Sequence, residues 1–532
     1  MSEATAAPNS VDNASHPEEP GHQKPVGFKI VLITMSLMLA VLCVALDNTI
    51  IAVAIPDITV QFKVLNDVGW YASAYLLTTC ALQLLFGKLY ALFNVKLVFL
   101  TALFVFELGS LICGVAPNST TLIVGRAIAG LGSAGIFTGS LVTIAHTVER
   151  ERRPIFFGLL GGMYGIASVA GPLMGGAFTD HATWRWCFYI NLPLGAVTAV
   201  VLFFLLKIPH QEKPQRDSLS RTLRRLDPIG TAIFVPSIIC MLLALQWGGV
   251  KYPWSNARII VLFVMFGVLL VGFIAVQIYM KDDATVPSRI ASQRTVASAA
   301  LFGFCIGGSF FIFTYYIPIW FQVIMGTSAI KSGINSLPMI LANVVGIILA
   351  GALTTRTGHY APFFIASSGI MAIGAGMLTL YEVETPQEKW AGFLFLYGFG
   401  VGLGFQQGGV AAQAVLPLAD VSIGTAMVMF FQMLGGALFV SVAQNLFTNR
   451  LVSNLMELSI AGLEPEAVVN AGATAVRSMV DPEMLPQVLV AYNDALVKTF
   501  QLGLILSCLS VLGAIGVEWK SIKGKEMAPG GA

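Results

Sequence analysis

Residues 87–96 read Gly-Lys-Leu-Tyr-Ala-Leu-Phe-Asn-Val-Lys, and residues 351–360 read Gly-Ala-Leu-Thr-Thr-Arg-Thr-Gly-His-Tyr. Each stretch ends an apolar run and carries a glycine, a leucine two positions later and a polar turn. A later apolar run in each region is rich in glycine, at Gly125, Gly130, Gly132 and Gly135 and at Gly398, Gly400, Gly402 and Gly404. The pattern indicates a duplicated chain, and such internal repeats are typical of transporters whose halves rock about a central site.

The composition requires a bilayer as the solvent for most of the chain. Of the 532 residues, 56% are hydrophobic and 11% are charged, whereas soluble domains carry about a quarter charged residues. Apolar runs recur from Ile30 to Trp519, and runs of about 20 residues match the hydrocarbon core of a membrane. We therefore predict an all-α membrane protein.

The breaks between these runs predict fourteen transmembrane helices. We place them at 28–54, 70–92, 97–115, 121–146, 155–178, 193–208, 228–247, 258–279, 295–322, 332–354, 361–381, 390–416, 422–446 and 499–519. An even number puts both termini on one side of the membrane. If that side is cytoplasmic, the inner segments hold about twice as many lysines and arginines as the outer ones, as expected for cytoplasmic loops.

The spans divide the chain into two six-helix halves with two extra helices between them. The membrane regions are an N-terminal half at 28–208, an extra pair at 228–279 and a C-terminal half at 280–519, with an extracellular loop at 448–498. The polar regions are a disordered cytoplasmic N-terminus at 1–27, a basic cytoplasmic loop at 209–227 and a cytoplasmic tail at 520–532.

Four further motifs follow one another along the first half: Leu46-Asp47-Asn48-Thr49-Ile50-Ile51 to Pro56, Gly125-Arg126-x-x-x-Gly130-x-Gly132, Gly171-Pro172-x-x-Gly175-Gly176, and Trp184-Arg185-Trp186-x-Phe188-Tyr189-Ile190-Asn191-x-Pro193. Together they resemble the fourteen-span drug:proton antiporter family of the major facilitator superfamily, in its fungal toxin and multidrug efflux branch. Gly351-x-Leu-x-x-Arg356-x-Gly358 resembles the cytoplasmic loop signature of that superfamily, with Thr355 where an acidic residue is usual. The copy that starts at Gly87 lacks both the acid and the arginine.

The resemblance implies a major facilitator fold and export in exchange for protons. In the fifth span, Pro172 would bend the helix and the neighbouring glycines would let another helix approach closely. The resemblance assigns gating and antiport to Gly87, Gly171, Pro172, Gly175, Gly176, Gly351, Arg356 and Gly358.

Three charged residues inside the predicted spans are the candidates for proton coupling. A cation at the bilayer centre costs about 2.5–3.5 kcal/mol, so Arg126 needs a partner or a water-filled cavity. Asp47 is the best candidate partner, and access to water would switch its protonation; the alternatives are a structural ion pair and a helix cap. Glu107 is the other acid, either a neutral group packed against a neighbouring helix or a reserve proton carrier.

Uncharged polar and aromatic side chains at membrane depth are the candidates for substrate binding. Pockets for drug-sized ligands are mostly apolar with a few hydrogen-bonding groups, so this set favours a weakly polar organic molecule over a sugar or an ion. Aromatic residues that face lipid or pack between helices would give the same pattern. The candidates are Asn48, Thr49, Tyr315, Tyr316, Trp320, Gln322, Asn343, Gln406, Gln407 and Gln432.

Several classes of protein are excluded by missing motifs. No G-x-x-x-x-G-K-[ST] occurs, so the energy would come from an ion gradient with no cofactor. The six histidines are dispersed and no H-E-x-x-H or G-x-S-x-G occurs, which argues against a metal site and a membrane enzyme. A formal net charge of +2 gives no reason to expect nucleic acid as a partner.

The expected partners are therefore a small-molecule substrate, protons and the lipid bilayer, and the expected assembly is a monomer. We expect a multi-pass protein of the plasma membrane, with the vacuolar membrane as an alternative. Asn118-Ser119-Thr120 fits a glycosylation acceptor in an outer loop. Two functional alternatives stay open, namely proton-coupled uptake of an iron-siderophore or other nutrient and a membrane receptor without transport.

Overall fold

The computed structural model describes residues 27–64, 67–207, 222, 224–249, 251–458, 477 and 480–523. The predicted N-terminus at 1–27, basic loop at 209–227 and tail at 520–532 lie largely outside these residues. Within the described part the structure is helical, and β pairing is limited to two isolated bridges.

The first half and the extra pair are built from nine described helices. They are α1 Phe28–Phe62, α2 Val68–Leu92, α3 Val95–Val115, α4 Ser119–Thr147, α5 Arg153–His181, the short α6 Trp186–Tyr189, α7 Asn191–Leu205, α8 Pro228–Trp247 and α9 Ala257–Met280.

The second half follows a short connecting helix. The described helices are the connector α10 Ser288–Ala291, α11 Arg294–Val323, the short α12 Ala329–Asn335, α13 Leu337–Thr357, α14 Ala361–Leu378, α15 Gln387–Phe405, α16 Gln407–Val415, α17 Val421–Leu458 and α18 Leu485–Gly516.

Thirteen helices in the described ranges are long and apolar enough to cross a bilayer. They correspond to thirteen of the fourteen predicted spans. The remaining one, 390–416, consists of α15 and α16, which meet at Gln406. The interruption divides the apolar run into two shorter helices, so the count of fourteen stays a prediction.

The predicted extracellular loop at 448–498 is helical at both ends. Helix α17 continues to Leu458 and α18 begins at Leu485, so both helices extend beyond the predicted span boundaries at 446 and 499. The extensions pair through Asn454, which donates to the Ala491 carbonyl oxygen at 2.9 Å and to the Asp494 carboxylate at 3.0 Å. These helical extensions are polar in sequence, so they were not recognised as continuations of the apolar membrane spans.

Glycines place the fourth helix of each half against the second. A Cβ on Gly130 of α4 would lie 2.3 Å from the Tyr75 carbonyl oxygen of α2, and one on Gly398 of α15 would lie 2.1 Å from the Met339 carbonyl oxygen of α13. Small residues allow such close approach of transmembrane backbones. The equivalent contacts support the duplication inferred from the sequence.

The two halves meet closely at the end of the bundle that we predict to be cytoplasmic. A Cβ on Gly87 of α2 would lie 2.6 Å from the Ala426 Cβ of α17, and one on Gly351 of α13 would lie 2.5 Å from the Pro154 carbonyl oxygen of α5. The repeated glycines that open the two loop motifs therefore form equivalent contacts between the halves. Arg150 adds a third link by donating to the Ala414 carbonyl oxygen.

The extra helix α8 covers one flank of this contact. Its Trp247 packs edge-on against Trp70 of α2 with ring centroids 5.9 Å apart, and its Phe234 lies 5.3 Å from Phe430 of α17. Gln246 donates to Ser73 Oγ of α2 at 2.6 Å. Helix α8 therefore touches both halves where α2 meets α17, and α9 lies outside it.

Polar contacts fix the extra pair at the predicted cytoplasmic end. Asp227, which is fully buried, accepts from Gly230 N at 2.8 Å, from Gln277 Nε2 at 2.7 Å, and from Thr285 N and Oγ1 at 2.9 and 2.8 Å. Beyond α9, Arg289 pairs with Asp420 immediately before α17. The hydrogen bond to that carboxylate raises the pKa of Arg289.

Candidate functional site

A buried ion pair lies inside the first half. Arg126 of α4 donates through Nη1 to Asp47 Oδ2 of α1, and the two side chains are 1% and 0% exposed. The guanidinium also donates through Nε to the Tyr71 carbonyl oxygen at 2.7 Å and lies over the Tyr75 ring, 4.4 Å from its centroid. The structure thus joins the two charged residues that the sequence predicted as partners.

Asn191, at the start of α7, is a third member of this site. Its Nδ2 donates to Asp47 Oδ1 at 3.3 Å and to Ser110 Oγ of α3 at 3.2 Å. The amide is fully buried, so it holds the carboxylate from the side opposite Arg126. The sequence motif contained Asn191, but we assigned it no role.

The site balances its charges but is closed. The carboxylate has a guanidinium and an amide as donors, which is the arrangement that makes a buried pair tolerable. Neither charged side chain faces lipid, and neither has measurable contact with solvent in this conformation. Proton exchange at Asp47 therefore requires a rearrangement that lets water reach it.

The next residues of α1 face a different neighbour. Thr49 donates to the Ala167 carbonyl oxygen of α5 at 3.0 Å, and Asn48 donates within its own helix to the Val44 carbonyl oxygen at 3.3 Å. Both side chains are half-buried. Asp47 is thus directed towards α3, α4 and α7, whereas Thr49 lies at the contact between α1 and α5.

The glycines of the fifth span differ in what they contact. A Cβ on Gly171 would lie 2.2 Å from Thr49 Oγ1, and one on Gly175 would lie 3.0 Å from the Ile50 carbonyl oxygen. Gly176 has no heavy atom within 4 Å of that position. Pro172 lies inside the continuous helix α5. Only two of the three motif glycines therefore permit the close approach of α1.

We expect Gly171→Ala to impair folding and transport, whereas Gly176→Ala leaves transport unchanged and does not lower stability. Overpacking a close helix contact costs typically about 1–3 kcal/mol, but alanine at an open helical position is better than glycine by about 1 kcal/mol. Thermal melting of the two purified variants in detergent tests this. Equal damage by both would show that the motif acts through something other than packing against α1.

Gln406 is the most unusual of the predicted substrate-binding amides. It lies at the junction of α15 and α16, it is 4% exposed, and neither atom of its amide has a hydrogen-bond partner. A Cβ on Gly161 of α5 would lie 2.9 Å from its Nε2, so the amide faces the other half. Buried polar groups are normally paired, and an unpaired amide between the halves is suited to a ligand.

The other predicted amides are also buried in the second half. Gln432 donates to the Phe405 carbonyl oxygen at 3.4 Å, and Gln407 accepts from Thr354 at 3.5 Å. Asn343 is 7% exposed on α13. Gln432 thus contacts the residue that precedes Gln406, and Gln407 is the residue that follows it.

The aromatic candidates on α11 are separated from one another. Trp320 is fully buried and donates to Asn493 Oδ1 of α18 at 2.8 Å, while Tyr316 donates to Gln444 Oε1 of α17 at 3.0 Å. Tyr315 is 45% exposed and Gln322 is half-buried. The structure does not bring these residues together with Gln406 in one cluster, and Trp320 is enclosed by the second half.

Two further predicted residues end α13. Gly358 has a φ of 80°, a left-handed conformation that favours glycine, and its carbonyl oxygen accepts from Ile522 N at 2.8 Å. The Arg356 side chain is exposed, and its backbone oxygen accepts from Lys523 at 2.6 Å. The signature thus closes the helix and anchors the chain that follows α18.

Asn118, the predicted glycosylation acceptor, is an exposed N-cap. Its Oδ1 accepts from Thr121 N at 2.9 Å at the start of α4. Among the described residues, no three His, Cys, Asp or Glu side chains are grouped in a way that could hold a metal ion.

Comparison with known proteins gives consistent matches over most of the chain. The family described as Major Facilitator Superfamily matches residues 37–440. Efflux pump aflT of Aspergillus parasiticus is 65% identical over 93% of this chain and 97% of its own, and MFS-type efflux pump MFS1 of Trichophyton rubrum is 57% identical over 95% and 94%. The crystal structure of the human organic anion transporter MFSD10 aligns with a TM-score of 0.58 at 12% identity, over 91% of this chain and 100% of that one.

Proposed function

Because this chain belongs to the major facilitator superfamily, we propose that it exports small hydrophobic organic molecules in exchange for protons. Membership confirms the predicted fold class and the resemblance to fungal efflux pumps, and it makes the chain a multi-pass membrane transporter rather than an enzyme. The efflux direction is supported by the names of the relatives, and the proposed substrate is a fungal secondary metabolite, mycotoxin or drug. The proposed location is the plasma membrane.

The observation that carries the proton coupling is the enclosed pair of Asp47 and Arg126. A proton on Asp47 would remove the negative charge and leave the guanidinium uncompensated, because arginine does not deprotonate in proteins. An unpaired charge in a closed interior costs several kcal/mol. Protonation of Asp47 therefore favours a conformation in which water reaches Arg126.

This difference between two conformations is what antiport requires. A ligand shifts a conformational equilibrium by its differential affinity for the two states. The proton prefers the open state, and the deprotonated ion pair stabilises the closed one. If substrate binds in the same open state and protonated Asp47 and bound substrate exclude each other there, each drives the other's release.

The substrate class rests on the contact region between the halves. Gln406 offers a buried amide without partners, and its neighbour Phe405 lies 5.2 Å from Phe310 between ring centroids. An apolar wall with one amide donor and acceptor suits a weakly polar organic molecule. None of the described site residues places an unpaired charge beside Gln406, so this region has no group that would select an ion.

A flux measurement tests direction and coupling together. Metabolites are profiled in cells with and without the gene, and the compound that rises most in the deletion strain is radiolabelled. Everted plasma-membrane vesicles with an acidic lumen are expected to accumulate that compound, and nigericin is expected to abolish the accumulation by removing the pH gradient.

The alternatives give different results in the same vesicles. A proton-coupled importer of a siderophore would accumulate its substrate only in right-side-out vesicles with an acidic exterior. A receptor without transport would give no flux in either orientation. Accumulation in everted vesicles that survives nigericin would show export without proton coupling and would overturn the proposed mechanism.

A further inference from the structure

A second candidate site lies on the surface of the first half that faces away from the second half. A groove of about 480 Å³ runs between α3 and α7. Its rim is exposed on the surface of two membrane-spanning helices, with Val200 56% and Phe204 67% exposed. The walls include Phe104, Ala199 and Phe203, and they carry a single ionisable group, Glu107.

Glu107 is poorly satisfied in this groove. Both of its carboxyl oxygens are buried and have no hydrogen-bond partner. Gly195 of α7 makes room for the carboxyl group, since a Cβ there would lie 1.8 Å from Oε1. Burying a polar group without a partner is costly, so a carboxyl held beside a glycine at the bottom of an open groove points to a ligand.

The groove also defines the chemistry of that ligand. Two unpaired acceptor oxygens fit an ammonium group, which has several N–H donors, better than an alcohol with one. Aromatic faces attract cations, and the Phe203 ring of this groove already has the Lys96 ammonium 4.9 Å from its centroid. The rings of Phe104 and Phe204 line the same groove. The other walls are apolar, so the rest of the ligand must be apolar too.

We propose that the groove between α3 and α7 binds a lipophilic amine that enters from the bilayer, with its ammonium nitrogen at Glu107. The depth of the site argues against a phospholipid headgroup as the source of the amine. Glu107 is the thirteenth of the 21 residues of α3, which places it near the middle of the span, whereas headgroups lie outside the hydrocarbon core.

The groove lies next to the buried ion pair without opening into it. Ser110 follows Glu107 by one turn on α3, and Asn191 precedes Gly195 by one turn on α7. Asn191 bonds both Ser110 and Asp47. A bound ammonium would therefore lie one helical turn from the polar contacts that hold Asp47, but its binding does not depend on transport.

Carbodiimide labelling of the full chain in phosphatidylcholine nanodiscs tests the site, because these lipids bring no primary amine. Dicyclohexylcarbodiimide reacts with carboxyl groups in apolar surroundings, and peptide mass spectrometry identifies the labelled residue. We expect Glu107 to be labelled and dodecylamine to slow its total modification, counted as the N-acylurea plus any dodecylamide formed by capture of the activated carboxyl, about tenfold, equivalent to about 1.4 kcal/mol of preferential binding. Dodecanol is expected to have little effect, and Glu107→Gln removes the label at this position.

Matched tryptophan variants on α7 separate the groove from general effects of the amine. Val200 lines the groove, whereas Val197, which is equally exposed at 55%, does not. We expect Val200→Trp to abolish protection by dodecylamine and Val197→Trp to leave it intact. Equal protection by dodecanol and dodecylamine, equal behaviour of the two variants, or an unlabelled Glu107 would each overturn the proposal.

Discussion

Replacing Asp47 by asparagine is expected to abolish proton-driven accumulation and to destabilise the closed structure by about 3–5 kcal/mol. The amide cannot compensate the guanidinium of Arg126, whose other partners are the Tyr71 carbonyl oxygen and the Tyr75 ring. Arg126→Leu is expected to be less damaging to the fold, because the carboxyl group left behind can take up a proton and become neutral. Melting of the purified variants in detergent measures the difference.

The double variant Asp47→Asn with Arg126→Leu is the control for this prediction. It removes both charges, so it is expected to melt closer to the parent protein than Asp47→Asn alone, and it still fails to transport. Additive losses in the double variant would show that the two residues do not act as a pair. Full transport by Asp47→Asn at normal protein levels would remove Asp47 from the coupling mechanism.

Replacing Gly351 by alanine is expected to hold the predicted cytoplasmic end open without unfolding either half. The added Cβ would lie 2.5 Å from the Pro154 carbonyl oxygen, and this contact is between the halves. An overpacked contact costs typically about 1–3 kcal/mol, which changes the ratio of two conformations by about 5–150-fold. Spin labels at Arg152→Cys and His359→Cys, in a chain without its native cysteines, are expected to move apart.

Two other glycines distinguish opening from unfolding. Gly369 of α14 has no heavy atom within 4 Å of a Cβ, so Gly369→Ala is expected to leave the distance unchanged and not to lower the stability. A Cβ on Gly398 would meet the Met339 carbonyl oxygen within one half at 2.1 Å, so Gly398→Ala is expected to lower stability. If Gly351→Ala lowered stability without changing the distance, the contact would be structural and not part of a gate.

The parts of the fold that follow from solvation were predictable. Long apolar runs have to cross the bilayer, and a cation inside one of them has to find a partner, which is why Arg126 and Asp47 could be paired from sequence. The repeated Gly87 and Gly351 were recognised as a duplication. Their contacts with Ala426 and Pro154 required coordinates, because a small residue indicates close packing without naming the neighbour.

Other features leave little trace in the sequence. The junction at Gln406 interrupts a run that is apolar and glycine-rich on both sides, so one long span was the simpler prediction. The role of Asn191 depends on three helices that are far apart in the sequence but meet in the fold. Trp320 and Tyr316 pack inside the second half, where they contact α18 and α17. An aromatic-rich sequence does not show whether such residues pack between helices or line a binding site.

The helix pair between the halves makes the transporter unequal on its two sides. The core has a twofold pattern, but α8 seals the junction of α2 with α17 from lipid, whereas the junction of α5 with α13 carries no such cover among the described residues. A hydrophobic compound dissolved in the membrane therefore meets α8 at the junction of α2 with α17, but meets α5 and α13 directly at the other junction. We therefore expect a lateral path between bilayer and interior to open between α5 and α13.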